Sequence, residues 1–494
     1  MKHQRYWEVA WDLFPQSAAV QVMPRPGFNP DAVFPGVPRT VDGESISPKM
    51  LEMLARPVFA TEEQKRQRFP RTIHNIGSLG AGGAERQLVN FLIEQANRGH
   101  TDQTLLTVYP LEGAGGHYAP LLRRHNVNLA VNNTPITEEG VELLRSHFEI
   151  VQAIKSMPFS FNAWVMDLWV DYALRRPAIS HHWLDHPNIW GGIAAVLAGV
   201  PCVVLSGRNV HPGNFPYLFT DYMRPWYTWL SACPQVHLMN NSTPGAASYA
   251  EWIGMDPARI DVVLNGVNLE HLEAATPAER DRIRDTIGVP RDAPAVVGAF
   301  RLSEEKRPEL FVETVARARA HHPDLHAVLM GEGPYLAQVQ EKVAALGLTD
   351  CFHAIGRRSD LPKVMTAMDV FLHTAFWEGT PNVVLEAQQL CLPIVVTDAG
   401  GTQDAAHHGV TGYRVPKDDT DQLADRLVEV LGDLPAWRER AKAGPAFVRD
   451  RFGIAGMVDR TEAVQLRGLA ACPVPEPKHP RRTGLAGLWD RLVR

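Results

Sequence analysis

From Arg71 onward, short apolar runs of strand length alternate with longer amphipathic stretches of helix length. This alternation is typical of βαβ units, in which parallel strands form a central sheet covered by helices. The predicted strands of a first set are 72–76, 103–109, 127–131, 201–206, 236–239 and 260–264. Those of a second set are 295–300, 325–330, 351–355, 370–373 and 393–397. We therefore predict two α/β domains with parallel sheets. Ligands of such domains bind at the carboxyl ends of the strands, in the cleft between the two.

The composition indicates a large globular protein. Apolar residues make up 45% of the 494 residues, charged residues make up 21%, and the formal net charge is −6. A disordered chain would carry fewer apolar residues, and a dedicated nucleic-acid binder would need a positive surplus. The five cysteines form no Cys-x-x-Cys pair, which is typical of reduced thiols in a cytoplasmic protein. Glu8 and Asp12 stand where a signal peptide would need apolar residues. We expect a cytoplasmic protein that binds no nucleic acid.

The most informative motif is Phe-Trp-Glu-Gly-Thr-Pro-Asn-Val-Val-Leu-Glu at 376–386. It follows a predicted strand, turns at Gly379, and opens a helix with Pro381 at the first-turn position that proline prefers. The free amides of this first turn form a site for an anion such as a diphosphate. Glu378 and Glu386 would bind hydroxyl groups on either side of it. The alternative is a helix whose acidic start is favoured by the dipole alone.

A second motif places two cations close together. Arg301 and Lys306 directly follow the predicted strand 295–300, so both can converge on one anion at the carboxyl end of that strand. The alternative is a solvated helix start with a surface lysine.

A third motif is the glycine-rich stretch 77–86, which follows the first predicted strand. Its glycines allow the backbone to pass close to a ligand and expose its amides. The stretch is neither a P-loop nor a dinucleotide fingerprint. A tight turn from strand to helix is the alternative.

Together these three loops resemble the retaining, nucleotide-sugar-dependent glycosyltransferases of family 4, which have the two-domain GT-B fold. The resemblance covers about residues 72–470. Its most specific piece is the pair Glu378 and Glu386 with seven residues between them, and the spacing of Arg301 and Lys306 matches the family's phosphate-binding pair. The remaining matching segments, in family order, are Gly-Gly-Ala-Glu-Arg-Gln at 82–87, Ser-His-His-Trp at 180–183 and Leu-Asn-Gly-Val-Asn at 264–268.

The resemblance implies a role for each matching residue. Glu386 would hold the nucleotide ribose, and Glu378 would face hydroxyls of the donor sugar. Arg301 and Lys306 would grip the diphosphate. A histidine of the N-terminal domain would contact the donor sugar, and His181 is our choice for it. The other donor-binding residues implied are Gly379, Thr380, Asn382, Val383, Arg357, Gly80, Ala81 and Gly82.

The acceptor side is less marked. Arg208 and Asn209 follow the predicted strand 201–206 and are candidates for it, with a surface loop as the alternative. His182 is a further candidate because the His-His pair leaves the alignment uncertain by one residue.

The resemblance also implies a reaction. A sugar would move with retention from a nucleotide-sugar, a UDP-sugar or a GDP-sugar, to a glycan or lipid-linked acceptor in cell-surface polysaccharide assembly. No metal and no further cofactor would be required. The alternatives are a non-catalytic sugar-nucleotide-binding scaffold, a GT-B-like sugar-nucleotide epimerase and a phosphorylase, although nothing suggests the phosphorylase's pyridoxal site.

The expected domain boundaries follow from the patterns and the resemblance. Five prolines between residues 24 and 38 disfavour regular structure, although Tyr6, Trp7, Trp11 and Phe14 could pin this part of the chain to a folded body. The polar stretch 274–285 is the predicted linker between the two domains. The predicted segments are an accessory extension at 1–70, an acceptor-side domain at 71–275, a nucleotide-sugar-binding domain at 290–452, a helix returning to the first domain at 453–472, and a basic amphipathic tail at 473–494.

Three features need a separate interpretation. The acidic run 418–421 resembles a metal-binding Asp-x-Asp but opens a predicted helix, so capping is favoured. His182 and His186 lack a third ligand nearby, which argues against a metal. In the tail, apolar residues on one helical face with surrounding arginines predict weak association through 478–494 with the inner face of a membrane, where the protein would be peripheral. Docking of the tail onto its own body is the alternative.

Overall fold

The computed structural model of the protein describes residues 5–14, 58–132, 135–157, 160–268 and 272–473. Most of the predicted extension, and all of the predicted tail beyond Pro473, lie outside the described residues, so the membrane-binding hypothesis for 478–494 is not addressed by the fold. Within the described part of the chain, no helix is long and apolar enough to cross a bilayer.

The first lobe is built on a parallel sheet of seven strands in the order β3-β2-β1-β4-β5-β6-β7. Its central strands are buried at every position, because helices cover both faces of the sheet. The strands are β1 Thr72–Ile76, β2 Gln103–Thr107, β3 Asn128–Val131, β4 Ile179–Trp183, β5 Cys202–Gly207, β6 Val236–Asn240 and β7 Ile260–Val262.

The second lobe is built on a parallel sheet of six strands in the order β10-β9-β8-β11-β12-β13. Its strands are β8 Ala295–Ala299, β9 His326–Met330, β10 Phe352–Gly356, β11 Val370–His373, β12 Ile394–Asp398 and β13 Gly412–Pro416. The two sheets confirm the predicted α/β class with two parallel sheets.

Helices connect the strands and cover the sheets. Those before β8 are α1 Tyr6–Leu13, α2 Glu62–Arg66, α3 Gly83–Asn97, α4 Ala119–Arg124, α5 Glu138–Ser146, α6 Phe148–Lys155, α7 Asn162–Arg175, α8 Asp185–Leu197, α9 Met223–Ala232, α10 Thr243–Ile253 and α11 Pro277–Ile287. Those after β8 are α12 Pro308–Arg319, α13 Leu336–Ala345, α14 Leu361–Ala367, α15 Asn382–Gln389, α16 Thr402–Ala405, α17 Thr420–Gly432, α18 Leu434–Ala441, α19 Gly444–Phe452 and α20 Ile454–Ala471.

The predicted linker at 274–285 is wrong, because most of it forms helix α11. Thr276 and Glu279 make a capping box, and Pro277 occupies the first turn. The side chain of Arg284 is buried, pairs with Asp369 at 2.9 Å and donates to backbone carbonyls. The high charge density therefore belongs to an anchored helix of the second lobe.

The start of the chain also carries more regular structure than the sequence pattern indicated. Helix α1 packs on the first lobe with Tyr6 and Ala10 fully buried in its core. Lys155 donates to the carbonyl oxygen of Phe14 at 2.7 Å and lies over the ring of Trp11. The aromatic residues near the N-terminus therefore hold this segment on the first lobe.

The last helix, α20, packs on the first lobe although it follows the second. Gln465 hydrogen-bonds His181 of β4, and Arg98, just after α3, pairs with Asp459. The chain thus passes between the lobes twice. The two passages touch, because the amide of Val267 donates to the carbonyl of Phe452 at 2.7 Å.

Candidate active site

A cavity of about 780 Å³ lies between the lobes, at the carboxyl ends of both sheets. Most residues predicted for the donor and acceptor sides line it, although they come from loops that are far apart in sequence. These are Arg301, Lys306, Glu378, Gly379, Thr380, Asn382, Val383, Glu386, Arg357, Ala81, Gly82, Arg208 and Asn209.

The first turn of α15 points into this cavity. Asn382 begins the helix, and Pro381 precedes it as the N-cap residue rather than occupying the first turn. Amides at the start of a helix have no partner within the helix, and the helix dipole makes this end positive. Since Thr380, Asn382 and Val383 all line the cavity, this turn offers an anion site there.

Glu378, Lys306 and His373 form one buried charged cluster. The ammonium of Lys306 pairs with Oε1 of Glu378, and Nε2 of His373 lies 2.9 Å from the same oxygen. Burial alone would raise the pKa of Glu378, but Lys306 and His373 outweigh it and lower that pKa to about 2. Burial lowers the pKa of His373. The cluster therefore holds an ionised Glu378 beside a fixed ammonium group.

The backbone around Lys306 is fixed by contacts with the loop that follows β11. Oγ1 of Thr374 donates to the carbonyl of Lys306 at 3.0 Å, and the amide of Phe376 donates to the carbonyl of Glu305 at 2.7 Å. The next residue, Arg307, has a φ of 48°, a left-handed conformation that turns the chain into α12. These contacts bring the Arg301–Lys306 loop next to the Glu378 motif.

Arg301 is exposed and lines the same cavity as Lys306. A loop of the first lobe reaches this point, because Tyr217 lies close to Arg301 and Glu305 of the second lobe. Tyr217 is 56% exposed, and partial burial of its phenol, with Glu305 nearby, raises its pKa to about 12. The loop that carries Arg301 and Lys306 therefore lies next to residues of the first lobe.

Glu386 is 3% exposed and is held from the opposite lobe. Its Oε1 accepts a hydrogen bond from Nη2 of Arg86 at 2.7 Å. Its Oε2 is buried, and no donor among the described residues bonds to it. Burial raises the pKa of Glu386, and Arg86 acts in the opposite direction. One oxygen of this carboxylate is therefore without a hydrogen-bond donor among the described residues.

A hydrogen-bond network of amide side chains joins the lobes along the cavity. Nε2 of Gln87 donates to Oδ1 of Asn382 at 3.2 Å, and Nδ2 of Asn265 donates to the same atom at 2.8 Å. The hydroxyl of Thr380 donates to the carbonyl of Asn241. The hydroxyl of Thr380 and Oδ1 of Asn382 thus bind the other lobe, and the two residues stand at the start of α15.

Arg208 and Asn209 line the first-lobe side of the cavity. The guanidinium of Arg208 lies over the ring of Trp183, 4.6 Å from its centre, and donates to Oδ1 of Asn265. Burial lowers the pKa of Arg208 to about 9. The carbonyl of Asn209 accepts a hydrogen bond from Asn240 at 3.0 Å. Both residues are anchored rather than part of a solvated loop.

Three predicted site residues lie elsewhere. His181 and His182 are fully buried in β4 and are absent from the cavity wall. Nδ1 of His181 bonds Gln465 of α20, and Nε2 of His182 bonds Ser180. Gly80 lies against the carbonyl of Ala114 and does not line the cavity either. The expected contact between His181 and a donor sugar, the acceptor-side role of His182 and the expected approach of Gly80 to the phosphate must be corrected.

The interpretation of the acidic run 418–421 holds. The side chain of Asp419 accepts from the amide of Gln422 and caps α17. Within the described residues, no group of three His, Cys, Asp or Glu side chains could hold a metal ion.

Several residues of the site were not singled out from the sequence. Arg86, Gln87 and Asn265 stand inside quoted motifs but received no role. His373 ends β11, and Asn241 follows β6, so a search for polar residues at the carboxyl ends of strands would have found both.

Comparison with known proteins extends these observations. Residues 279–445 match the family described as glycosyl transferases group 1. Over 440 residues the chain is 28% identical to the Vi polysaccharide biosynthesis protein VipC/TviE of Salmonella typhi. The alignment covers 81% of this chain and 73% of that protein. Over 350 residues it is 30% identical to 2-deoxystreptamine glucosyltransferase of Streptomyces kanamyceticus. This alignment covers 68% of this chain and 88% of that protein.

Solved structures resemble the fold as a whole. The crystal structure of HepE from Anabaena in complex with UDP superposes with a TM-score of 0.64 at 19% identity, and the match covers 80% of this chain and 98% of that chain. This similarity confirms the predicted GT-B architecture.

Proposed function

The chain belongs to the glycosyl transferases of group 1, and on that basis we propose that it transfers a sugar, with retention of configuration, from a nucleotide-sugar to a glycan or lipid-linked acceptor. The donor is a UDP-sugar or a GDP-sugar. The reaction belongs to cell-surface polysaccharide assembly and takes place in the cytoplasm, at the inner face of the membrane.

One observation carries this proposal. A single cavity between the lobes is lined by Arg301, Lys306, the first turn of α15 and the buried carboxylate of Glu386. Cations and free amides suit a diphosphate, and a carboxylate oxygen without a partner suits a ribose hydroxyl. A nucleoside diphosphate contains both groups, at a spacing that one site can hold.

The chemistry follows from the charges around the phosphate position. Cleavage of the bond between sugar and diphosphate leaves negative charge on the departing phosphate. Lys306 and the amides near Asn382 are fixed before the reaction and Arg301 lines the same cavity, so these groups stabilise that charge more than they stabilise the bound donor. We propose that these groups supply the positive charge the leaving group needs, and that no metal or other cofactor takes part.

Glu378 has two tasks in this scheme. Its Oε1 fixes the ammonium of Lys306 at the cavity wall. As an ionised carboxylate it also has lone pairs left for hydroxyls of the donor sugar. We assign no nucleophile, and the leaving phosphate itself would help to deprotonate the acceptor.

The acceptor assignment draws on the relatives. The relative from Salmonella typhi is named as a polysaccharide biosynthesis protein and matches most of this chain. On the first lobe, Arg208 and Asn209 line the same cavity as Arg301 and Lys306 and are the proposed acceptor-side residues.

The test is a thermal-shift and calorimetry panel of UDP, GDP, ADP and their sugars on the full chain. We expect one nucleotide series to raise the melting temperature, and Arg301→Ala and Lys306→Ala to weaken that response. Arg291→Ala is the matched control, since Arg291 is an exposed arginine of the second lobe paired with Asp285. An unchanged response in both site variants would refute the phosphate site.

Product analysis separates the remaining alternatives. A transferase keeps the donor sugar intact until an acceptor is present and then yields a glycosidic product and nucleoside diphosphate in equal amounts. An epimerase would release nucleoside diphosphate and a changed sugar without any acceptor, and a scaffold would bind the donor without turnover.

We also propose that the basic tail at 478–494 associates weakly with anionic lipid. Co-sedimentation with anionic and neutral vesicles, using the chain with and without 473–494, tests this association. We expect binding of the full chain to anionic vesicles only. Equal binding by both proteins would end the proposal.

A further inference from the structure

The ion pair between Arg86 and Glu386 stands between two cavities. The donor cavity lies on one side of it. A second cavity of about 810 Å³ lies on the other side, against α3 and the passage at Gly266–Asn268, and both residues line both cavities. Arg86 belongs to the first lobe and Glu386 to the second. The pair is therefore a contact that forms only when the lobes are together.

The two residues are not equally accessible. The side chain of Arg86 is 39% exposed, whereas that of Glu386 is 3% exposed. Arg86 bonds Oε1 only, and Oε2 stays buried without a donor among the described residues. A buried carboxylate oxygen without a hydrogen bond is costly unless a ligand supplies the missing donor.

From this geometry we propose that Arg86 is a positioning residue for the donor: by occupying Oε1 of Glu386 from the opposite lobe, it fixes the carboxylate so that Oε2 accepts a hydroxyl of the nucleotide ribose. This inference rests on the proposed function. Arg86 acts through Glu386 and has no contact with the reacting atoms.

The titratable and charged groups around Glu386 determine how nucleotide affinity should depend on pH. Arg86 of α3 bonds Glu386, Tyr118 before α4 lies close to it, and Glu85 of α3 and Arg357 after β10 lie close to Tyr118. Burial raises the pKa of Tyr118, so its phenol stays neutral between pH 5 and 8. The carboxyl of Glu85 also has a raised pKa through burial and needs its own control. Without Arg86, burial acts on Glu386 unopposed, and the carboxyl takes up a proton at a higher pH.

The experiment compares two probes on the full chain by calorimetry. One is UDP or GDP, whichever binds the wild type, and the other is pyrophosphate, which has no ribose. We expect Arg86→Ala to weaken nucleotide binding about tenfold, the loss of one charge-assisted hydrogen bond, and to leave pyrophosphate binding unchanged. Nucleotide affinity of the variant should also fall more steeply from pH 8 to pH 5 than that of the wild type.

Further variants separate positioning from structure. Arg86→Lys should restore part of the affinity, and Glu386→Gln should lose as much as Arg86→Ala, with little added loss in the double variant. Glu85→Gln should keep the wild-type pH dependence. Arg98→Ala is the matched control, because Arg98 directly follows the same helix and forms its ion pairs outside the donor cavity.

Two results would overturn the inference alone. Tighter nucleotide binding by Arg86→Ala would mean that Arg86 blocks the ribose site, and equal loss for nucleotide and pyrophosphate would mean a general effect on the cleft. If the wild type bound neither UDP nor GDP, the proposed function would fail as well.

Discussion

Nδ2 of Asn265 lies 2.8 Å from Oδ1 of Asn382, and this hydrogen bond joins the two lobes beside the donor cavity. Asn265 is buried, and it also donates to the carbonyl of Thr380 and accepts from Arg208. One side chain therefore links Arg208 of the first lobe to the start of α15 in the second lobe.

Asn265→Ala should reduce both stability and donor binding. The change leaves Arg208 and the carbonyl of Thr380 without partners in a buried place, at a cost of about 1–3 kcal/mol. For lobes of this size we expect a melting temperature lower by about 2–12 °C. Scanning calorimetry measures the change. Asn214→Ala, which removes only a local bond to the carbonyl of His211, should leave the melting temperature within about 1 °C of the wild type.

Glu378→Gln should reduce turnover by about 10²–10³-fold, because the ammonium of Lys306 loses the charge that fixes it. The pKa of Glu378 is lowered in the folded protein, so its ionised form contributes stability above pH 4.5, and that contribution is lost as pH falls towards 2. The difference in the free energy of unfolding between wild type and variant should therefore become smaller as pH falls from 4.5 towards 2. Urea unfolding at several pH values measures it, and a constant gap would contradict the assignment.

Gly379→Ala should keep the lobes apart. A Cβ at Gly379 would overlap with the carbonyl of Arg208 in the opposite lobe. Each lobe keeps its own core, so we expect the variant to fold, but its nucleotide affinity should fall about tenfold or more, with a larger radius of gyration in small-angle scattering. Gly432→Ala is the control, since a Cβ there meets no atom within 4 Å.

The buried histidines of β4 should make the protein acid-sensitive. Burial lowers the pKa of His182 to about 3, and it also lowers the pKa of His181. An unfolded chain binds protons on these groups below pH 6.5, so stability present above that pH is lost as pH falls through it.

The histidine prediction is checked with one variant and one control. His182→Gln should reduce the proton uptake on unfolding by about one proton between pH 4 and 6, as measured by the pH dependence of stability. Ser180→Ala removes the hydrogen-bond partner of His182 but keeps the imidazole, so its pH dependence should match the wild type.

The elements around the site were predictable where the signal is local. The motif at 376–386 contains a strand end, a turn and a helix start within eleven residues, so Glu378 and Glu386 were placed correctly before and inside α15. Arg301 and Lys306 directly follow a buried strand, and that position alone brings them to the carboxyl edge of the sheet.

His181 and His182 were predicted to reach the cleft, but their position inside a central strand prevents it. β4 pairs with β1 at one edge and with β5 at the other, so it is an internal strand of the sheet. Helices cover both faces of this parallel sheet. Successive side chains of a strand point to opposite faces, and neither His181 nor His182 can reach the cleft. Arg208 and Asn209 line the cavity because they lie beyond the end of their strand.

The contacts between lobes could not be predicted from local patterns. Arg86 and Glu386 are 300 positions apart, and only the packing of the two folded lobes brings them together. The same holds for Gln87 and Asn382. The misassigned stretch 274–285 had the opposite problem, because its capping box was visible in the sequence but its charge density suggested a linker.

The contact between Val267 and Phe452 has a practical consequence. The chain enters the second lobe near Val267 and leaves it near Phe452. One hydrogen bond joins these two residues, so the two ends of the lobe are adjacent in space. Such a unit can be exchanged for the corresponding lobe of another transferase without rerouting the polypeptide. Donor preference should travel with the transplanted segment, while acceptor choice stays with the recipient.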